Sequence, residues 1–453
     1  MIHILGGGLA GCEAAWQIAR AGGKAILHEM RPVRSTAAHK TNHLAELVCS
    51  NSLKSESENS APWLLKQELR RLDSLLIRIA SEPGIRVPAG HALTVDRELF
   101  AQRVTAAIQA LPNIEIRHEE VTRIPNEWTA DGNIVIIATG PLTSDALAQD
   151  IARITGSERL FFYDSISPIV EAESIDMTIA FRASRWGRSL DGTDDYINCP
   201  FTKDEYNVFL DALLTATSHT PHIPEDRAFA ETPFFEACLP IEEIARRGRD
   251  TLRFGPMKPA GLDDPRTGRW PYAAVQLRAE NARADSYNLV GFQNYLKYPD
   301  QQRVFRLIPG LQNAEFLRYG QIHRNTYINA PALLDETLRL KTNPRIFFAG
   351  QIAGIEGYVE SIATGLLAGR NAVVLSMGRE PQPMPRATAL GSLCHYLTHA
   401  DPAHYQPANI TFDLLPTLDD ATRRKLRHDK KARHAEVCRR AFEAMEATPG
   451  DPI

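Results

Sequence analysis

An α/β fold made of a dinucleotide-binding domain with a second, α+β domain inserted into it is predicted by three observations. The chain opens on a short apolar run that passes through a glycine-rich turn into helix-forming sequence. Two later apolar runs, at 134–141 and 345–351, also end in small residues. Between them, from about 160 to 330, strand and helix signals do not alternate regularly.

The first element carries the most information. Ile2-His3-Ile4-Leu5 leads into Gly6-x-Gly8-x-x-Gly11, with Gly7, Leu9 and Ala10 completing the turn. Gly6 permits the sharp bend, Gly8 lets backbone approach a pyrophosphate, and Gly11 lets helix and strand pack closely. The helix that follows points unpaired N–H groups at the phosphates. Gly11, Ala15, Ile18, Ala19 and Gly22 share one helical face. A second strand, Ala25-Ile26-Leu27-His28, ends in Glu29, eighteen positions past Gly11 (29 minus 11). An acid at that distance is placed to hydrogen-bond a ribose hydroxyl. A glycine triplet alone is weak evidence; strand, helix, second strand and acid in register make a dinucleotide site.

Ile134-Val135-Ile136-Ile137 reads as a buried strand running into Ala138-Thr139-Gly140-Pro141. Arg345-Ile346-Phe347-Phe348-Ala349-Gly350-Gln351 repeats the pattern, followed by Gly354, Gly357 and a helix from Tyr358. This late strand–glycine–helix element resembles the second FAD contact of the two-dinucleotide-binding flavoproteins, with Gln351 where an acid is usual. The expected organisation is a Rossmann-like FAD-binding domain in two parts, 1–155 and 331–420. An α+β substrate or RNA domain, 156–330, lies between them, and a basic helical tail, 421–453, ends the chain.

Composition is that of a globular protein, 43% apolar and 23% charged, with a net charge of −4 that gives no general pull toward nucleic acid or membrane. Six cysteines are scattered without a CxxC pair or a His/Cys cluster at zinc spacing, so no metal is expected. Glycines interrupt the apolar N-terminus, which lacks a basic lead as a signal peptide would have, and no run of eighteen apolar residues occurs. A reduced, cytoplasmic protein is the expectation.

Longer strings narrow the reading. Glu29-Met30-Arg31-Pro32-Val33 and Ala45-Glu46-Leu47-Val48-Cys49-Ser50-Asn51-Ser52-Leu53-Lys54-Ser55 are similar to the folate- and FAD-dependent tRNA uracil-5-methyltransferases, the TrmFO family. The resemblance continues through Val87-Pro88-Ala89-Gly90, Phe254-Gly255-Pro256-Met257-Lys258-Pro259, Asp264-Pro265-Arg266-Thr267-Gly268, His323-Arg324-Asn325-Thr326 and Gly357-Tyr358-Val359-Glu360-Ser361. It spans nearly the whole chain, and Gln351 matches the family's own pattern. The resemblance implies FAD, NADH or NADPH as reductant, 5,10-methylenetetrahydrofolate as one-carbon donor, and C5 of the T-loop uridine of tRNA (position 54) as acceptor.

Uracil C5 becomes nucleophilic once something adds to C6, and a cysteine thiolate is the natural reagent. Taken alone, a free cysteine is a small buried hydrophobe. The resemblance singles out Cys238, in Phe235-Glu236-Ala237-Cys238-Leu239-Pro240, as the nucleophile, and Cys49 as a group beside the flavin that assists one-carbon or proton transfer. Ser50, Asn51, Ser52, Lys54 and Ser55 suggest a polar, cation-bearing setting that favours Cys49 thiolate. Cys12, Cys199, Cys394 and Cys438 read as structural, with Cys12 open to mild activation at a helix N-terminus.

Candidate RNA contacts are Arg246, Arg247, Arg249, Arg253, Lys258, Arg266, Arg269, His323-Arg324 and the tail cations from Arg423 to Arg440. Tyr272, Tyr287, Phe292 and Tyr358 are candidates for the shelf under a flipped base. The rivals are the same chemistry on rRNA, a longer GidA-like tRNA-modifying enzyme, and a small-molecule flavin oxidoreductase; the absence of paired redox cysteines disfavours a disulfide reductase.

Overall fold

In the computed structural model, which describes residues 1–36, 38–130, 132–157, 160–219 and 239–447, two six-stranded sheets organise the chain. The first is built from β1 (Ile2–Leu5), β2 (Ala25–Glu29), β3 (Ile114–His118), β4 (Ile134–Ile137) and β5 (Asn343–Phe348), with Arg339–Leu340 on its edge. The order is Arg339–Leu340, β5, β4, β1, β2, β3. All pairs are parallel except the antiparallel edge strand. β1 and β4 are apolar apart from His3 and fully buried, as strands covered on both faces must be.

Helix α1 (Leu9–Arg20) follows β1, and α2 (Tyr358–Ser376) follows β5. They cross at close range because α2 presents glycine where α1 presents alanine. A Cβ on Gly365 would lie 2.3 Å from the Ala10 carbonyl oxygen, and one on Gly369 would lie 2.7 Å from that of Ala14. Beyond α2 come α3 (Ala389–His399) and α4 (Lys430–Ala447). A short helix, Asp420–Lys425, precedes α4, and α4 is docked against the body of the protein. Phe442 of α4 meets Trp63 edge-on, with ring centroids 6.0 Å apart, and Arg71 sits 3.7 Å over its ring.

The second sheet is antiparallel throughout, in the order Phe316–Arg318, Ile169–Glu171, Ser286–Leu289, Ala273–Ala279, Tyr196–Phe201, Phe181–Arg182. Its core holds Phe201, Phe209, Phe292 and Phe305. A ribbon of Leu160–Ser165 paired with Ile322–Tyr327 marks where the chain leaves the first sheet and returns. No described helix is long and apolar enough to cross a membrane.

Candidate active site

A groove of about 1030 Å³ opens at the carboxyl ends of β1, β2, β4 and β5. Its floor is backbone. Gly6 adopts φ 99°, and a Cβ there would lie 2.6 Å from the Ala138 carbonyl oxygen. A Cβ on Gly11 would lie 1.9 Å from the Gly6 carbonyl oxygen, so this glycine packs the helix onto the turn from behind. Gly8 caps α1 without a side-chain hydrogen bond, and a Cβ on it would meet nothing within 4 Å. The first amides of α1 therefore face open space, which suits a pyrophosphate.

Glu29 stands at the end of β2 and is 4% exposed. Its Oε2 accepts from the Gly7 amide at 2.9 Å, and its Oε1 accepts from the Arg31 amide at 3.0 Å and Arg31 Nε at 2.8 Å. Burial alone would raise its pKa; the hydrogen bonds and charge of Arg31 outweigh this and hold it below the ordinary carboxylate value. Arg31 is itself buried, bonded through a terminal nitrogen to Glu46 at 3.2 Å and the Thr41 carbonyl at 3.3 Å. Arg31 thus acts as a brace for the acid, a role its place in the sequence did not reveal.

Gly6, Gly7, Gly8, Leu9, Ala10, Glu29, Met30, Arg31, Gly140, Gly350 and Gln351 all line the groove. Gly11 and Gly357 stand behind it and shape it. Gly357, at φ 115°, begins α2 beneath Lys54 and Glu360. Gln351 donates to Glu356 at 2.6 Å, so the residue replacing the usual acid orients a neighbouring one.

Tyr358 forms part of the groove wall, and its hydroxyl oxygen accepts from the amides of Cys49 at 2.8 Å and Ser50 at 3.1 Å. The Cys49 loop is also gripped from the helix Arg97–Gln109 and from the second sheet. Arg97, paired with Glu280, donates to the carbonyls of Leu47 at 2.8 Å and Cys49 at 3.1 Å, while Arg318 donates to that of Val48 at 3.1 Å. Asn51 donates to the Ala279 carbonyl at 2.9 Å. These anchors lie far from the loop in sequence and had no local signal.

Three electrostatic expectations need correction. The Cys49 thiol is not set to ionise: burial raises its pKa, the Asp164 and Glu356 carboxylates add to the rise, and Arg97 and Arg318 only partly oppose it. Lys54, expected to supply local positive charge, pairs instead with Glu360 at 2.7 Å. Cys12 is not activated by its helix N-terminus, because burial pushes its thiol up while it donates to the Gly7 carbonyl at 3.3 Å. Cys238 lies outside the described residues. Leu239 and Pro240 follow it, and the Ile241 amide returns to the Gln293 carbonyl at 2.8 Å.

Most arginines of the 246–269 region are already engaged. Arg246 pairs with Glu243, Arg249 with Asp211 at 2.8 Å and Arg266 with Asp264 at 2.8 Å, while Arg253 lies 4.0 Å over the Tyr272 ring. In the tail, Arg439 and Arg440 pair with Glu436. Tyr287 and Phe292, at 1% and 0% exposure, are core residues and cannot serve as a base shelf. Tyr272 is partly exposed, and Tyr358 is the one of the four that lines the groove.

Comparison with known proteins agrees with this geometry. The family model described as "Glucose inhibited division protein A" matches residues 1–380. The methylenetetrahydrofolate–tRNA-(uracil-5-)-methyltransferase TrmFO of Solibacter usitatus is 68% identical over 98% of this chain and 98% of its own length. Its namesake from Koribacter versatilis is 63% identical over 98% and 97%. Among solved structures, Aquifex aeolicus GidA in its form I crystal superimposes with a TM-score of 0.69 at 17% identity, covering 98% of this chain and 75% of that one, which supports the fold. A glycine-floored groove, an acid braced at the end of its second strand and similarity to those relatives over nearly the whole chain place this chain in the GidA family of flavoproteins, within its TrmFO branch.

Proposed function

We infer that this chain transfers the one-carbon unit of 5,10-methylenetetrahydrofolate to C5 of a uridine in tRNA, with FAD in the groove and NAD(P)H as reductant. The observation that carries this reading is shared architecture: Tyr358 is at once a wall of the dinucleotide groove and the anchor of the Cys49 loop. The α1 amides and Gly8 would hold the pyrophosphate, and Glu29 the ribose. Bound there, FAD supplies the hydride chemistry that converts a methylene to a methyl group.

The chain's own residues supply the rest. Cys238 adds as thiolate to uracil C6, placing electron density on C5. Once C5 has taken the one-carbon unit and lost its proton, the thiolate leaves again. Cys49, kept as a neutral thiol by burial and by Asp164 and Glu356, is suited to hold or deliver a proton rather than to attack. Glu356 beside it is pushed well above the ordinary carboxylate range by burial and by Asp164, which suits it to share in the same proton transfer.

Purified protein incubated with 5,10-methylenetetrahydrofolate labelled in its one-carbon unit, NAD(P)H and unmodified tRNA or rRNA tests the reading. Label in 5-methyluridine from tRNA alone is the expected result, at the T-loop uridine. Label from rRNA alone, or from neither, overturns it.

A further inference from the structure

On the far side of α3 from its buried face lies a cluster that no step above uses. His395 and His399 are one turn apart on α3, their rings stacked with centroids 4.0 Å apart and planes 17° from parallel. Both direct Nδ1 at one carboxylate oxygen of Glu336, at 3.1 Å and 3.6 Å. One ligand atom from each of the three residues lies within 4.8 Å of the other two.

We propose that Glu336, His395 and His399 form a binding site for one divalent first-row transition-metal ion, which would tie the C-terminal turn of α3 to the 335–338 turn. The ligand set is the argument. Two imidazoles at i and i+4 with one carboxylate suit zinc and its neighbours. Tetrahedral zinc with bonds of about 2.0–2.1 Å needs donors about 3.4 Å apart, and the observed 3.1 and 3.6 Å bracket that value.

The surroundings leave the three groups available. Asp335, the neighbouring acid, is consumed by Thr337 and Arg339 and makes the turn rigid. Arg386, the nearby cation, is turned away to Ser392 Oγ at 2.5 Å and the Leu414 carbonyl at 2.7 Å. The Nδ1 of His399 also lies 3.2 Å from the His395 carbonyl and 2.9 Å from Thr398 Oγ1, contacts that metal binding would replace or rearrange. A cation at the last turn of a helix is favoured by the helix dipole. All three side chains are partly exposed, so water reaches the ion and completes its coordination. The HisxxxHis spacing is visible in the sequence, but its third ligand stands 59 positions earlier, too far for a zinc-spacing search to join them.

Full-length, tag-free protein stripped of metal and titrated with Zn²⁺ against a chromophoric competitor provides the test. One equivalent bound by the wild type, weakened at least about tenfold in His395→Ala and in His399→Ala, is expected; His404→Ala, at an exposed histidine outside the cluster, should match the wild type. Zn²⁺ should also raise the thermal midpoint of the wild type and leave that of the His395→Ala/His399→Ala variant unmoved. Glu336→Gln, which keeps the side chain's shape, guards against a folding artefact and should weaken binding likewise. No Zn²⁺ bound by the wild type, or the same curve from the double variant, overturns the proposal.

Discussion

The two sheets solve opposite problems. The parallel sheet leaves backbone amides exposed at its carboxyl ends, and its groove is made by what is missing at Gly6 and Gly8. The antiparallel sheet buries polar side chains and pairs several of them with one another, as with Gln276 on Asn198 at 2.9 Å and Asn288 on Glu280. From the end of its strand Ala273–Ala279 it lends Glu280, which holds Arg97 of the helix Arg97–Gln109 against the Cys49 loop. The groove therefore depends on vacancy, and the loop beside it depends on long side chains: Arg97, held by Glu280, and Arg318, reaching across from the other sheet.

That contrast is broken most severely at Glu280. Glu280→Ala leaves Arg97 buried without its partner, at a cost of about 3–5 kcal/mol, and releases the Leu47 and Cys49 carbonyls. Urea denaturation should show the loss, and methyl transfer should fall more than flavin content does. Next come the paired glycines. Gly11→Ala forces a methyl against the Gly6 carbonyl and should destabilise by about 1–3 kcal/mol, whereas Gly8→Val should leave the denaturation midpoint nearly unchanged and lose FAD. Flavin absorbance and urea midpoints measured on both variants separate the two roles.

A smaller effect sits on β1, inside the parallel sheet. His3 stacks on Trp128 with centroids 4.1 Å apart and contacts His28 at 3.1 Å; burial, with His28 and the N-terminal amine, pulls its pKa down to about 4. A histidine depressed from 6.5 to about 4 in the folded chain contributes stability that is complete above pH 6.5. That stability is lost as pH falls toward 4, because the unfolded chain then binds the extra proton. His3→Phe should flatten this acid limb by about 1–2 kcal/mol in melts run between pH 7 and 4. Smallest of all, Tyr358→Phe removes the acceptor for the Cys49 and Ser50 amides and should cost about 1 kcal/mol, seen as a lowered denaturation midpoint.

The same contrast governs what the sequence could tell. Parallel strands covered on both faces are unbroken apolar runs, so β4 and β5 were legible together with the Gly6–Gly11 turn and Glu29. Strands of the second sheet carry Asn198, Gln276 and Asn288 inward and blur any alternation. The Gly365-x-x-x-Gly369 spacing that seats α2 on α1 was present as a signal and is intelligible only once Ala10 and Ala14 face it. Charge was the least legible property. Lys54 and several of the 246–269 arginines read as free cations; the fold pairs Lys54 and Arg249 with the distant Glu360 and Asp211, and Arg246 and Arg266 with the nearby Glu243 and Asp264. Thiolate character at Cys49 was inferred from neighbours in sequence; the neighbours in space are Asp164 and Glu356.

The most direct test of the account is the cofactor itself. Purified protein is heat-denatured, and the released compound is identified and counted per chain, for the wild type, Cys238→Ala and Gly8→Val. The account predicts about one FAD per chain in the first two and almost none in folded Gly8→Val. A wild type that binds no flavin, or a Gly8→Val variant that keeps its full share, would contradict a groove made for a dinucleotide by its missing side chains.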